Sequence, residues 1–255
     1  MSTTLDVNLS NNWSVVAVSD EVPPGQIIQA FLHGQELALW RNSEGMIQAW
    51  ANRCPHRGTR FTMGRIVDDQ LACGYHGWRF AAGGQCTYIP AHPKLAPPKT
   101  VCAKTYRTVE CYGMVWACLG LPETEVPTVP ALANSARHAL FCRSFVTQQS
   151  ADTVVAQLQH ASEHRYQVIG PNALIGADDG KAMPILLVQP MADNKSILHL
   201  WVSCEKRGRR RCRDTRTSQR VVQTAKAAAG STRLVRHPFR PHRRSPCPPY
   251  WTLSY

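Results

Sequence analysis

From Trp13 to Trp50 the apolar residues come in short bursts separated by turn formers. Trp13-Ser14-Val15-Val16-Ala17-Val18 is followed by Pro23-Pro24-Gly25-Gln26. Gln35-Glu36-Leu37-Ala38-Leu39-Trp40 runs into a turn over Asn42 to Gly45, and Met46-Ile47-Gln48-Ala49-Trp50 comes after it. Bursts this short, bounded by Gly, Pro and Asn, predict strands of an antiparallel all-β unit. Phe80, Gly83-Gly84 and Cys86-Thr87-Tyr88-Ile89 predict a further hairpin. Tyr112-Gly113-Met114-Val115-Trp116-Ala117-Cys118-Leu119-Gly120 reads as the buried strand that closes the unit.

Leu121 to Pro130 carries prolines and acids and predicts a linker. After it the period changes. Phe141-Cys142-Arg143-Ser144-Phe145-Val146-Thr147 alternates like a strand. Asp152 to Val168 predicts a helix, with Asp152 as N-cap and Val155, Leu158 and Ala161 recurring at helical spacing. Pro184-Ile185-Leu186-Leu187-Val188-Gln189-Pro190 and Ile197-Leu198-His199-Leu200-Trp201-Val202 predict strands around an Ala192-Asp193-Asn194-Lys195 turn. The expected class is α+β, with an all-β domain over 12–120, a linker over 121–130, and a partial α+β domain with antiparallel sheet over 131–205.

The net charge of +12 over 255 residues suggests a polyanion partner until it is divided along the chain. Residues 206–255 hold 14 Lys and Arg against the single acid Asp214, whereas the preceding 205 hold 15 against 16 acids. The folded part is therefore nearly neutral. The last fifty residues are rich in Arg, Pro, Ser and Cys and show no sustained apolar period, so they are expected to be disordered. Two readings of this segment stand: a basic arm for nucleic acid or another polyanion, and a coding frame displaced near residue 205. The second is preferred, and nucleic acid is not expected as a partner. The start, Met1-Ser2-Thr3-Thr4-Leu5-Asp6, has neither the basic nor the apolar region of a secretory signal, and no apolar run is long enough to span a bilayer. A soluble cytoplasmic protein is expected.

Chemistry concentrates in one stretch. Cys54-Pro55-His56 and, after sixteen residues, Cys73-Gly74-Tyr75-His76 supply two thiols and two imidazoles. Each loop offers one ligand of each kind. Structural zinc sites usually group like ligands, as C-x2-C and H-x3-5-H. A Rieske [2Fe–2S] centre requires this mixed set, with both cysteines on one iron and both histidines on the other. Gly58, Gly74 and Gly77 flank the ligands, where backbone must turn tightly and approach closely. Pro55 and Trp78 are placed to shield such a centre from water. The other eight cysteines (Cys86, Cys102, Cys111, Cys118, Cys142, Cys204, Cys212, Cys247) show no C-x2-C pairing and read as free core or incidental thiols of a reducing compartment.

Asn52-Arg53-Cys54-Pro55-His56-Arg57-Gly58 and Cys73-Gly74-Tyr75-His76-Gly77-Trp78-Arg79-Phe80 together resemble the Rieske loops of the ring-hydroxylating oxygenases. The resemblance is specific over residues 12–120 and weaker over 121–204. It implies an oxygenase α subunit, truncated or frame-shifted after about residue 205. Electrons from NAD(P)H, delivered by a partner reductase or ferredoxin, would enter the [2Fe–2S] cluster. A mononuclear Fe(II) would then activate dioxygen to hydroxylate or O-demethylate an aromatic compound. It further implies a homotrimer in which one subunit's cluster serves its neighbour's iron.

The matching helix segment is Gln157-Leu158-Gln159-His160-Ala161-Ser162-Glu163-His164. His160 and His164 stand one turn apart, where they could chelate one ion. Gln157 stands where the family carries an acid, the histidines are one residue closer than the family pattern, and residues 206–255 offer only Asp214 among carboxylates. The same residues fit the inverted H-x2-E-H zinc pattern of some metalloproteases. Two surface histidines without a metal are a further reading. Two alternatives to an oxygenase stay open: a Rieske electron carrier and an inactive truncated product.

Overall fold

The computed structural model describes residues 11–133, 137–160, 166–177, 183–205 and 232–235. It is α+β, and the chain divides into two compact units. The first comprises residues up to Asn12, Val16–Glu110 and Met114–Glu123. The second comprises Trp13–Val15, Cys111–Gly113 and the chain from Thr124 onward.

The first unit is built on a six-stranded sheet of β1 (Ser14–Val18), β2 (Ile27–Leu32), β3 (Gln35–Arg41), β4 (Ile47–Ala51), β9 (Thr105–Cys111) and β10 (Met114–Cys118), in the order β1-β10-β9-β4-β3-β2. The central run of β3, Leu37-Ala38-Leu39-Trp40, is fully buried because it is covered on both faces. Successive side chains of a strand point to opposite faces. Leu37 and Leu39 therefore enter one core with Val16, Leu32, Ile47 and Val115, while Ala38 and Trp40 enter a second with Trp50, Phe61, Leu71 and Phe80. The second core lies against a small four-stranded sheet, β5 (Arg65–Val67), β6 (Gln70–Ala72), β7 (Arg79–Phe80) and β8 (Cys86–Tyr88), paired in sequence order. Trp50 meets Trp40, Phe61 and Phe80 edge to face at 5.2, 5.5 and 6.4 Å.

The strands β2 and β9 add to those the sequence pattern indicates. The turns fall where Gly and Asn place them: Gly45 has φ +81° and donates its N–H to Asn42 O, while Asn42 Oδ1 accepts from Met46 N–H. The β9–β10 connection carries Tyr112 and Gly113 at φ +58° and +74°, the conformation a two-residue hairpin turn demands.

The second unit is a six-stranded antiparallel sheet in the order β12-β13-β14-β15-β11-β16, formed by β11 (Arg137–Thr147), β12 (Gln167–Gly170), β13 (Ala173–Ile175), β14 (Met183–Ala192), β15 (Lys195–Glu205) and β16 (Thr232–Val235). A short helix α1 (Pro130–Ala133) begins where the linker ends, and α2 (Ala151–His160) packs on one face of the sheet. Ala151, Val154 and Leu158 of α2 meet Leu186, Val188, Leu198 and Leu200 of the sheet. The expected Ala192–Lys195 turn joins β14 to β15, with Ala192 paired to Lys195.

Three expectations need correction. The helix does not run to Val168: α2 ends at His160, and Gln167–Gly170 is strand, paired to β13. Its cap is Ser150 rather than Asp152, because Ser150 Oγ accepts the Thr153 N–H at 3.1 Å. Within the stretch that offered no element, Thr232–Val235 forms β16 and pairs with Ser144–Thr147 of β11. Finally, Cys111 is disulfide-bonded rather than a free thiol, while Cys86, Cys102 and Cys142 are free.

Candidate metal centre

Cys54 and Cys73 open two loops built alike. In the first, Cys54 N–H donates to Thr59 O at 2.8 Å, and Gly58 N–H donates to Cys54 O at 2.8 Å. In the second, Cys73 N–H donates to Trp78 O at 2.9 Å, and Gly77 N–H donates to Cys73 O at 3.0 Å. Each loop thus closes on its cysteine with the same two backbone bonds. Gly58 and Gly77 occupy equivalent positions at φ +71° and +69°, a conformation costly for any residue with a Cβ. Gly74 is needed for a different reason. A Cβ there would stand 2.2 Å from Met63 O, so the second loop lies directly on the chain that follows the first.

Residues beyond the motif fix the first loop. Buried Asn52 makes a reciprocal pair with Thr62: its Nδ2 donates to Thr62 Oγ1 at 3.0 Å and its Oδ1 accepts Thr62 N–H at 2.9 Å. Together with Asn52 N–H to Glu36 O at 2.8 Å, this ties both ends of the loop to β3 and to each other. A short polar residue just before the motif was the available sequence signal. It acquires meaning only once the fold brings Thr62 beside it.

The four candidate ligands fall into two pairs. Cys54 and Cys73 are 3% and 2% exposed and belong to the aromatic-lined core. Their thiols are in hydrogen-bonding contact, and burial pushes Cys54 up to about 12, with Cys73 adding to the rise. The N–H groups of His56 and Arg57 oppose that rise by donating to the Cys54 sulfur, so the loop offers two donors to a thiolate. The imidazoles form the second pair, on the outer side. His56 and His76 lie with ring centroids 4.7 Å apart. His56 is half-buried and His76 exposed. Desolvation, followed by the positive charges of His76 and Arg57, lowers the His56 pKa, which favours the neutral ring that a metal takes. Trp78 stacks on His56 at 4.1 Å and 6°, and Tyr75 packs against His76 at 3.8 Å. Pro55 is exposed, on the solvent side of the loop.

Among the described residues no three of His, Cys, Asp and Glu converge closely enough to hold one ion. Two thiols in contact and two imidazoles in contact are a donor set that could hold a [2Fe–2S] centre.

The second candidate site lies only partly within the described residues. His160 is exposed at the last residue of α2, and Gln157 is exposed on the same helix. His164 and Asp214 lie outside the described residues, as does Glu163 of the zinc-like pattern. Among the described residues no group of three His, Cys, Asp or Glu that could hold a metal ion includes His160. On the sheet face away from α2, a polar group is buried instead. Ser144 Oγ lies 2.8 Å from His199 Nδ1 and His199 Nε2 lies 3.0 Å from Gln189 Oε1, an arrangement that suits the neutral ring with its proton on Nε2.

Residues 12–112 match the Rieske [2Fe–2S] domain family. The chain is 38% identical to oxidoreductase NdmD of Pseudomonas putida over 159 residues, 61% of this chain and 26% of that protein. It is 38% identical to the oxygenase component of chloroacetanilide N-alkylformylase of Rhizorhabdus wittichii over 114 residues, 45% of this chain and 32% of that one. The matched segments span about a quarter to a third of these relatives. In fold, the chain is similar to Pseudomonas putida CBB5 NdmB, with a TM-score of 0.73 at 18% identity over 88% of this chain and 82% of that one. It is likewise similar to apo dicamba monooxygenase, with a TM-score of 0.70 at 18% identity over 87% and 83%. Over residues 12–112 the chain is thus similar to Rieske [2Fe–2S] domains, and part of it to an oxygenase component.

Proposed function

We propose, from the premise that residues 12–112 are a Rieske domain, that the chain is the Rieske component of an oxygenase system. In this reading Cys54 and Cys73 hold one iron of a [2Fe–2S] cluster, and His56 and His76 hold the other. The paired placement of thiols inside and imidazoles outside carries the reading. A cluster bound so supplies one-electron storage at a potential above that of an all-cysteine cluster. The chain's own residues do the rest. The buried cysteine side keeps water from the sulfurs. The N–H groups of His56 and Arg57 stabilise negative charge on Cys54. Trp78 fixes the plane of His56, and exposed His76 presents the edge at which an electron crosses to or from a partner.

The wider reading rests on the resemblance and on the relatives. A reductase or ferredoxin drawing on NAD(P)H reduces the cluster, and the electrons serve dioxygen-dependent hydroxylation or O-demethylation of an aromatic compound. The assembly is a homotrimer in the reducing cytoplasm. Among the described residues no helix is long and apolar enough to cross a membrane. The second reading is an electron carrier without oxygenase activity, which the exposed Gln157 and His160 favour. Iron and sulfide analysis with electron paramagnetic resonance of the reduced protein separates the two. About two irons and two sulfides per chain support the carrier, and about three irons the oxygenase. A protein that binds neither iron nor sulfide overturns both.

A further inference from the structure

The two ligand loops leave a cleft of about 640 Å³ between them. Its charged lining residues are Glu36, Arg53 and Arg60. Glu36 and Arg60 neutralise each other through an ion pair at 2.8 Å. One charge is left uncompensated, the Arg53 guanidinium. That group lies against the first loop: a Cβ at Gly58 would stand 3.1 Å from Arg53 Nε and 3.5 Å from Nη2. Gly58 thus keeps space for the guanidinium as well as making the turn. Arg53 is exposed, and among the described residues its guanidinium makes no hydrogen bond or ion pair. Thr59, also in the lining, has a hydroxyl that makes no hydrogen bond among the described residues. Apolar surface completes the cleft: Tyr75 is 61% exposed and Met63 70%.

We infer that this cleft binds a small aromatic acid carrying a single carboxylate. The guanidinium of Arg53 presents paired N–H donors in the planar fork that a carboxylate accepts. The Thr59 hydroxyl supplies a further donor, and the ligand's ring rests on Tyr75 and Met63. The volume falls within the range of small-ligand pockets, roughly 300–1,000 Å³. Charge selects among ligands of that size. A neutral ring leaves Arg53 unused, whereas a phosphate dianion meets one free cation where it needs two. The site requires the fold of the first unit and not a bound cluster, so it goes beyond the proposed function. Its position also places the occupant beside the candidate centre, because the Tyr75 ring lies 3.8 Å from that of His76.

The test titrates benzoate into the full chain by calorimetry, with benzamide as a neutral probe of the same shape. The expected dissociation constant for benzoate is on the order of 1 mM. Benzamide with the parent, and benzoate with the variant R53Q, should each bind about tenfold more weakly. R53K should recover only part of the affinity, since an ammonium offers no fork. R107Q removes an exposed arginine of β9 outside the cleft and should bind as the parent does. Equal affinity for benzoate in parent and R53Q overturns the inference and assigns the binding to the arginine-rich residues beyond 205. Equal weakening in R53Q and R107Q also overturns it, because the attraction would then be diffuse. Benzamide bound as tightly as benzoate overturns the carboxylate site, and so does the absence of binding at concentrations well above the expected value, whatever the iron content. Iron is measured on the same samples. Arg53-dependent binding by a chain that holds no iron keeps the site and overturns the proposed function alone.

Discussion

The first unit keeps its chemistry in loops laid over a rigid floor, and the second keeps its polar groups inside a sheet. Both are antiparallel, and both bury a face of branched and aromatic side chains. They differ in how far apart in sequence the candidate functional residues lie. In the first unit the four candidate ligands fall within 54–76, on two loops with the same backbone bonds, resting on Trp50, Phe61 and Phe80. In the second, any metal site must draw on α2 and on segments far along the chain, and exposed His160 belongs to no metal-holding group of three among the described residues. A site made of local loops is complete once those loops fold. A site drawn from distant elements is complete only when the whole domain is.

The largest effect that would test this contrast is loss of the cluster. Cys73→Ser removes one thiolate from the buried pair, so iron and sulfide content should fall to background and the signal of the reduced protein vanish. Substitution of His160 by Ala should leave that signal unchanged, because His160 is not among the four residues assigned to the cluster. A Cys73→Ser protein that kept its full iron content would break the ligand assignment outright.

Next come substitutions in the two cores. Leu158→Ala opens a cavity between α2 and the sheet, where Leu158 is fully buried, and should cost about 2–5 kcal/mol. The expected signature is a lower unfolding temperature with an unaltered cluster spectrum. Gly74→Ala does the reverse. Its Cβ would meet Met63 O at 2.2 Å, a clash with backbone that should cost about 1–3 kcal/mol and separate the loops, so iron loss should precede global unfolding. Gly83→Ala is the control, since a Cβ there meets nothing within 4 Å. If Gly74→Ala retained iron as firmly as Gly83→Ala, the close seating of the second loop on Met63 would be irrelevant to the centre.

The same contrast explains what could be read from sequence. The ligand loops are legible because their information is local: a mixed pair of ligands, a glycine four residues after each cysteine, and turn residues between short apolar bursts. Strand β9 was hidden because its buried positions, Tyr106 and Cys111, are too widely spaced for a clear alternation. The helix was overextended because Ala161 continues the apolar spacing of Val155 and Leu158, whereas the buried face runs through Ala151, Val154 and Leu158. Periodicity marks a face but not where tertiary pairing ends the element, and the pairing of Gln167 with Ile175 claims that stretch for the sheet. Strand β16 had no signal in an arginine-rich segment. Its pairing with β11 is a long-range fact. Gly74 was singled out for a tight turn, yet its φ is not positive and its role is close approach to another segment, which no local pattern could reveal.

The smallest effect concerns the far side of the first unit, where the sheet is locked without reference to the loops. Arg41 makes a two-pronged pair with Glu110, at 2.7 Å for each of its terminal nitrogens, and also donates to the carbonyls of Ser19, Val22 and Gly45. Burial works against ionisation of Glu110, but the Arg41 hydrogen bonds and charge override it and hold the carboxyl below its ordinary value of 4.5. A carboxyl whose pKa is lowered by folding adds stability at pH above the unfolded value, and that contribution disappears as pH falls through the lower folded value. Glu110→Gln keeps the shape and leaves Arg41 its three carbonyl acceptors, so at neutral pH it should cost only about 1–2 kcal/mol. The difference between parent and variant should be constant from neutrality down to about pH 5 and shrink below 4.5. Matched thermal scans at a fixed rate across that range would show it. A gap that widened on acidification would mean that the pair is not what stabilises this edge. A loss of cluster signal at pH 7 in Glu110→Gln would mean that the loops and the large sheet do not fail independently, and the division between local site and supporting scaffold would have to be redrawn.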